Sequence, residues 1–591
     1  MSSGPLYLGL DLSTQQLKAI VISSDLTVIS EAKVDFDADF GAKYGIKKGV
    51  RINEDEGEVF QPVAMWMEAV DLVLTRLRET GCPVGRIEGI SGSGQQHSSV
   101  YWSGDAEAAL SNLDPERSLL EQLGGGHVLA YEFAPNWQDH STQKECDDFD
   151  AHLGDPQKLA DASGSSAHHR FTGTQILRMR RRRPQVYEAT ARISLCSSFL
   201  ASLFLGRIAP FDISDVTGMN LWDVRAESWN EGLLALTAGG AEGVPALRRK
   251  LGEVPTDGGA ILGAVSPYLA ARFGFGRGCR VAAFTGDNPA TILSLPLRPL
   301  DAIVSLGTSS TFLMSTPSYK PDPSYHFMNH PTTRGHYMFM LCYKNGGLAR
   351  EKVRDALPKP TAAGEQQQDP WANFNRSVLE TPPLGVRRDG DGDGDSDGRA
   401  KLGLYFPLPE IVPNVRAGTW RYTCDARDGS SLAEAAAADW TPEEDARIII
   451  ESQALSMRLR SQPLVAPIPD HPGLPAQPRR IYLVGGGSLN PAMARALGDV
   501  LGGAEGVYRL DVGGNACALG GAHKALWACE RRGGEGQGLQ SFDELIGARW
   551  REEGNVQKVD DGYREAEYRA YGNVLGAFRE MEDRVLSVAR N

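Results

Sequence analysis

At 591 residues the chain exceeds what one ordinary hydrophobic core organises, so two large domains are expected. Its 41% hydrophobic and 23% charged residues are those of a globular protein, and a net charge of −14 is the wrong sign for a general nucleic-acid binder. No basic stretch followed by a long apolar one opens the chain, no apolar run would span a bilayer, and the eight cysteines are scattered without a C-x-x-C pair. A reducing, cytoplasmic setting with no zinc site or disulfide scaffold fits these features.

Residues 6 to 36 alternate apolar strands with short turns (LYLGLDLS, LKAIVIS, LTVISEAKVDF), a spacing that predicts antiparallel hairpins. The first turn sets Asp11 at a strand end and follows it with Ser13, Thr14, Gln15 and Lys18. Helical periodicity over 56 to 80 predicts a core-facing helix through Val59, Val63, Trp66, Met67, Val70, Leu74 and Leu77. RIEGISGSGQQHSSVYW, 86 to 102, reads as strand, Gly/Ser break, Gln95-Gln96-His97, strand; His97 is either a satisfied structural histidine or part of a polyol pocket. Trp137, Asp139 and His140 precede a capped helix start, and the run Arg178 to Arg183 (RMRRRR) reads as a solvated helix face. His168-His169 tempt a metal reading, but adjacent side chains diverge and no third ligand is suitably spaced; Arg170 offers a fork for hydroxyl or phosphate oxygens.

Residues 190 to 222 give a buried helix and an acidic loop, FDISDVTGMNLWD, and CRVAAFTGD a further strand. The stretch 284 to 313 then carries an acidic turn, Thr285-Gly286-Asp287-Asn288, with Pro289 placed to open a helix. It continues through an apolar strand into Gly307-Thr308-Ser309-Ser310-Thr311 and a second strand, a hairpin able to turn backbone N–H groups and hydroxyls towards a phosphate. This repeats the plan of the Asp11 turn and suggests two related domains. HYMFMLCYKNGGLAREKVRD reads as strand, turn and helix on a packed domain edge. The Asp/Gly run near 389 to 398 fails as an EF-hand: registers starting at Asp389 and Asp393 put Ala400 and Leu404 where the bidentate glutamate belongs, which leaves a flexible loop. Helices are expected at 442 to 461 and 562 to 589, a proline-rich loop at 462 to 478, and a strand, triple glycine, Asn490 and helix in RRIYLVGGGSLNPAMARALGDVL. VGGNACALGGAHKALWA is a small-residue helix suited to close packing.

No G-x-x-x-x-G-K-[ST], post-strand G-x-G-x-x-G, G-x-S-x-G or H-E-x-x-H occurs. What remains is two hydroxyl-rich hairpins, a glycine-rich strand-to-helix turn and two aspartates at strand ends, an inventory that phosphoryl transfer requires. In that order LGLDLSTQQLK, GISGSGQQHSSVYW, HHRFTG, FTGDNPA, VSLGTSSTF and LVGGGSLNPAM resemble the FGGY carbohydrate kinase family; NWQDHSTQKECDDFD, RISLCSSFLASLFLG and SDVTGMNLWD extend the likeness to its eukaryotic xylulokinase branch.

The resemblance implies an α/β fold of two ribonuclease H-like domains of the actin/Hsp70/hexokinase type around an interdomain catalytic cleft. The N-terminal domain would span 1–289 and the C-terminal, ATP-binding domain 290–591, with an insertion near 384–401. It further implies that Asp11 organises Mg²⁺ and the ATP phosphates, with Thr14, Gln15 and Lys18 in a first phosphate loop and Gly307, Thr308 and Ser309 in a second. Asp287 would be the general base, Asn288, His97 and Arg170 sugar contacts, and Trp371, Gly486, Gly487 and Asn490 nucleotide contacts. The implied reaction is in-line attack by the terminal hydroxyl of D-xylulose on the γ-phosphate of MgATP, by a monomer or homodimer with no nucleic-acid or membrane partner. Two positions depart from bacterial members: Gln96 stands where they carry methionine and Ser13 where they carry glycine. Alternatives are a same-family kinase for another polyol such as ribulose, an Hsp70-like nucleotide-gated binder, and a catalytically silent sugar sensor.

Overall fold

The computed structural model describes residues 4–358, 369–386, 398–512, 514–533 and 538–589. Most of the Asp/Gly-rich insertion, at 387–397, lies outside the described residues. The chain forms two compact units: Met1–Leu297 with Tyr319–Met338 and Asn515–Trp550, and Arg298–Ser318 with Phe339–Gly514 and Arg551–Asn591.

In the first unit Leu6–Leu12, Gln16–Ser23 and Val28–Asp35 pair antiparallel as successive hairpins. On its other side Leu6–Leu12 runs parallel to Ile87–Gly94, which is also flanked in parallel by Arg280–Ala282 and Thr285–Gly286. Antiparallel hairpins followed by parallel crossover strands are the ribonuclease H-like arrangement. Parallel strands end on one edge of a sheet, and that rule brings Asp11 and Asp287 together. The helix Val63–Glu79 buries Val63, Trp66, Met67, Val70, Leu74 and Leu77 against this sheet, each large side chain contributing about 1.5–3 kcal/mol. Val59, expected on that helix, belongs instead to the strand Glu58–Pro62: Pro62 ends the strand and occupies the N-cap position.

The helix Ala516–Glu530 returns to the same sheet, and its small residues are what admit it. A Cβ on Gly9 would stand 1.9 Å from the Ala518 carbonyl oxygen, and one on Gly520 would stand 1.9 Å from that of Ala290. The arginine run lies on the helix Thr172–Arg182 and its end, and is a solvated face only in part: Arg181 and Arg182 are exposed, whereas Arg178 faces inward. Arg178 is buried and pairs with Glu58 at 3.0 Å, a pairing that burial makes obligatory, while the exposed Arg181 reaches Asp148 at 2.7 Å. The expected cap of the Gln143–His152 helix is absent, because Thr142 gives its hydroxyl to the carbonyl of His169 at 2.7 Å.

The second unit repeats the plan. Ala302–Leu306 and Ser310–Thr316 form an antiparallel hairpin, and Ala302–Leu306 runs parallel to Arg480–Val484, itself parallel to Gly506–Leu510. The helix Pro442–Ser461 begins with a capping box between Thr441 and Glu444, as a T-x-x-E sequence dictates. It packs with Pro491–Leu501 in a core that includes Ile448, Ile449, Met493 and Ala496.

Candidate active site

The first unit carries a carboxylate centre. Asp11 lies opposite Ser93 across the parallel pair and accepts from its hydroxyl at 3.0 Å. On the antiparallel side its neighbour is Lys18, whose charge opposes the upward push of burial on the Asp11 carboxyl. Thr285 lies opposite Ser93 in turn, so Asp287 follows at the same edge and opens the short helix Asp287–Ile292. Burial first, and the Asp11 charge second, push Asp287 up to about 7, against the opposing Asn288 N–H. That N–H donates to Asp287 Oδ1 at 2.8 Å. Asn288 Nδ2 donates to Asp287 Oδ1 and to Gln96 Oε1, each at 3.0 Å, which fixes the amide.

Beneath these residues is a layer the sequence did not single out. Lys524 and Asp212 form a fully buried ion pair at 2.6 Å, and Asp212 also accepts from the Thr285 hydroxyl at 2.6 Å. Asp215 accepts from Ser197; burial first, then Asp212 and Asp287, push it up to about 7, against the Ser197 hydroxyl and the Gln96 amide. One signal was available: Lys524 is the one charge within the apolar run ALGGAHKALWA, and a lone charge on a buried helix needs a counter-ion.

His97 and Arg170 occupy the same unit. His97 is a non-glycine residue at φ 74°, a costly conformation that surrounding contacts must hold. Its ring stacks on Phe171 at 4.5 Å, and Nδ1 lies 2.9 Å from the Gly218 carbonyl, so Nδ1 carries the proton and Nε2 is left as an acceptor. Burial, then Arg170, holds the ring neutral, well below the usual imidazole range. Arg170 donates to His326 Nε2 at 3.0 Å, and His326 therefore uses Nδ1 to donate to Ser165, 2.7 Å away. His326 also escaped sequence reasoning. His168 and His169 diverge as expected: His168 lies against His326, and His169 bonds Gln143 at 2.8 Å.

Of the first turn, Gln15 is exposed and Lys18 half-buried. The Thr14 hydroxyl is engaged inward, donating to Gln95 at 2.9 Å and accepting from Trp137 at 2.8 Å. Gln61 and Asn136 complete that buried amide network.

The second unit carries a backbone cradle. Gly307, Thr308 and Ser309 link the hairpin strands, with Thr308 exposed. The segment read as a packed edge braces this turn from behind: the N–H of Gly347 donates to Gly307 O at 3.0 Å, and Arg350 Nη2 reaches the same oxygen at 3.2 Å. Only glycine fits at 347, since a Cβ there would lie 2.6 Å from Gly307 O. Because Ser305 and Val484 are register partners, Gly485–Gly487 leave their strand beside Gly307, and Gly485 adopts φ 83° to do so. Asn490 caps the Pro491–Leu501 helix through the N–H groups of Ala492 and Met493 at 3.0 and 3.1 Å. Its amide donates to Asn375 at 2.6 Å. Trp371 sits at the start of the helix bearing Asn375, half-buried, with the Arg354 guanidinium 4.5 Å from its ring centre.

Residues 132–294 match the N-terminal domain, and residues 302–529 the C-terminal domain, of the FGGY family of carbohydrate kinases. The chain is 57% identical over 585 residues to a probable D-xylulose kinase A of Aspergillus fumigatus, covering 99% of this chain and 98% of the relative. It is 56% identical over 583 residues to D-xylulose kinase A of Aspergillus niger, covering 99% of each. In fold it resembles the crystal structure of xylulose kinase from Rhodospirillum rubrum, with a TM-score of 0.71 at 18% identity over 99% of this chain and 100% of that one. By sequence along nearly its whole length, and by two units of the same plan, the chain belongs to the FGGY family of carbohydrate kinases.

Proposed function

We propose that the chain transfers the γ-phosphoryl group of ATP to D-xylulose, giving D-xylulose 5-phosphate for the pentose phosphate pathway. One observation carries the chemistry: Asp287, half-buried at a parallel-strand edge beside Asp11, is pushed up to about 7 and clamped by Asn288. A general base works best when its pKa lies near the working pH. Support for the sugar comes from the curated relatives named D-xylulose kinase A at 56–57% identity.

In this reading residues 1–289 supply sugar binding and the first phosphate loop, and residues 290–591 the ATP site. Asn288, His97 Nε2 and Arg170 orient the sugar, and Asp287 takes the proton of its terminal hydroxyl as that oxygen attacks phosphorus. Thr14, Gln15 and Lys18, with Gly307, Thr308 and Ser309, receive the phosphates; Gly486, Gly487, Asn490 and Trp371 border the adenine. Mg²⁺ takes one or two carboxylates together with substrate phosphates and keeps several waters, and Asp11 fits that demand. When bound there, Mg²⁺ would neutralise charge on the phosphates. The enzyme acts as a monomer or homodimer in the cytosol, where its eight cysteines remain reduced.

The test is ADP release from MgATP across a panel of ketoses and polyols. D-xylulose is expected to give the highest kcat/KM. A different sugar winning by a wide margin would displace the named acceptor and leave the reaction class; no sugar stimulating turnover would overturn the kinase reading.

A further inference from the structure

Arg350 is 2% exposed and sits behind the Gly307–Ser309 turn. Its guanidinium donates to the Gly307 carbonyl at 3.2 Å, to the Ser310 hydroxyl at 3.4 Å and to Gln453 Oε1 at 2.7 Å, while Nε is buried without a partner. Every one of these partners is neutral. The carboxylate that acts on Arg350, Glu351, is solvent-exposed, and among the described residues no acidic side chain forms an ion pair with Arg350. Buried charges are ordinarily paired, because an isolated one forfeits its hydration. Elsewhere in this unit Arg447 pairs with Glu451, and Arg460 with Glu582 at 2.9 Å. Arg458, buried with no carboxylate among its bonds, has the Tyr568 ring 3.6 Å away and two backbone carbonyls. Arg350 has neither a carboxylate nor, among the described residues, an aromatic ring. Its discomfort shows in a guanidinium pulled down to about 10 by burial.

This cation has a place. Through Gly307 O the cation is one hydrogen bond from the turn, whose Thr308 is exposed, and Gly346 and Gly347 are the small residues that let its helix come this close. We propose that Arg350 is a positioning residue whose buried, uncompensated charge has the nucleotide's phosphates as its counter-ion, acting through the Gly307–Ser309 turn without touching them. The inference rests on this turn being the nucleotide-phosphate turn. A charge in that position strengthens binding in proportion to the negative charge brought to the front of the turn, whereas mere structural support would serve every ligand of the site alike.

Affinities of ATP, ADP, AMP and adenosine, measured by calorimetry on the whole chain and on Arg350→Gln and Arg350→Lys, separate these cases. Removing the charge in Arg350→Gln is expected to weaken ATP roughly tenfold, the scale of one charge acting over a screened distance of about 10 Å. The loss should shrink through ADP and AMP and vanish for adenosine. Arg350→Lys, which keeps the charge and gives up the fork, should retain the dependence on phosphate count, and the KM for the sugar should stay unchanged in both. Equal losses for adenosine and ATP would overturn the proposal, as would an unaltered ATP affinity in Arg350→Gln. If Arg350→Gln does not fold, an Arg350→Lys protein that loses its preference for ATP over adenosine overturns it equally. If the unmodified protein itself binds ATP no more tightly than adenosine, the nucleotide reading of the turn fails first.

Discussion

The two hairpin turns share one backbone plan and carry opposite electrostatics. Leu6–Leu12 with Gln16–Ser23, and Ala302–Leu306 with Ser310–Thr316, are each an antiparallel hairpin whose first strand has a parallel neighbour on its other side. In the first, the strand end bears Asp11, and the residues behind the turn are the neutral amides Gln61, Gln95 and Asn136. In the second, the corresponding strand position is Ser305, and behind the turn stands Arg350. A duplicated scaffold thus gives an edge that concentrates negative charge, suited to a cation and to proton removal, and an edge that offers N–H groups over a buried positive charge, suited to phosphate. What separates the two units chemically is one or two side chains placed on conserved geometry.

The widest difference should appear at Asp287. Asp287→Asn keeps the shape and the Asn288 contact but cannot take a proton, so kcat is expected to fall roughly 10²–10⁴-fold, with sugar affinity by calorimetry nearly unchanged; a loss confined to KM would make Asp287 a binding residue only. Next in size is the buried pair under the carboxylate edge. Lys524→Met leaves buried Asp212 without its counter-ion, a cost of about 3–5 kcal/mol that urea denaturation would read as a lowered midpoint. Adding Asp212→Asn should restore much of it. No recovery in the double variant would mean that the lysine acts by packing alone.

The titrations of the two edges should also part. Since Asp287 must be ionised to accept a proton and is pushed up to about 7, kcat/KM for the sugar should fall as pH drops through about 7. ATP affinity should lack a basic limb below pH 9, because Arg350 keeps its proton until about 10. A sugar kcat/KM flat from pH 6 to 8 would remove Asp287 from the role of base.

Much of this was legible in the sequence. Both hairpins, the Gln95–His97 break, Asp287 at the mouth of a helix and the Asn490 strand-to-helix turn each follow from local patterns of apolar strands, glycines and caps. The supporting layer was not, because it is assembled from segments far apart in the chain. Asp212, Asp215 and Ser197 come from a helix and loop in the middle of the first unit, and Lys524 from the segment Asn515–Trp550 that rejoins it after most of the second. No periodicity reports that Lys524 meets Asp212, nor that His326 meets Arg170. Arg350 was hidden differently: in GGLAREKVRD it is one of several charges on an ordinary-looking helix, and only packing shows that it faces inward while Glu351 faces solvent.

The smallest effect is predicted at Asn490, and it bears on how the nucleotide edge is held. The Asn490 side chain caps Pro491–Leu501 through two backbone N–H groups, and its amide ties that helix to Asn375, on the helix that begins beside Trp371. Loss of an N-cap costs about 1 kcal/mol, so Asn490→Ala should lower the unfolding free energy by about that amount. Asn490→Asp keeps the cap acceptor and adds charge where the helix dipole favours it, but it cannot donate to Asn375. If Asn490 serves mainly as a cap, the aspartate variant should match or exceed the stability of the unmodified chain, with ATP affinity little changed. If the tie to Asn375 is what sets the adenine-side turn, the aspartate variant should be stable yet weakened for ATP, and a bridging substitution that restores the bond, Asn375→Arg with Asn490→Asp, should recover the affinity.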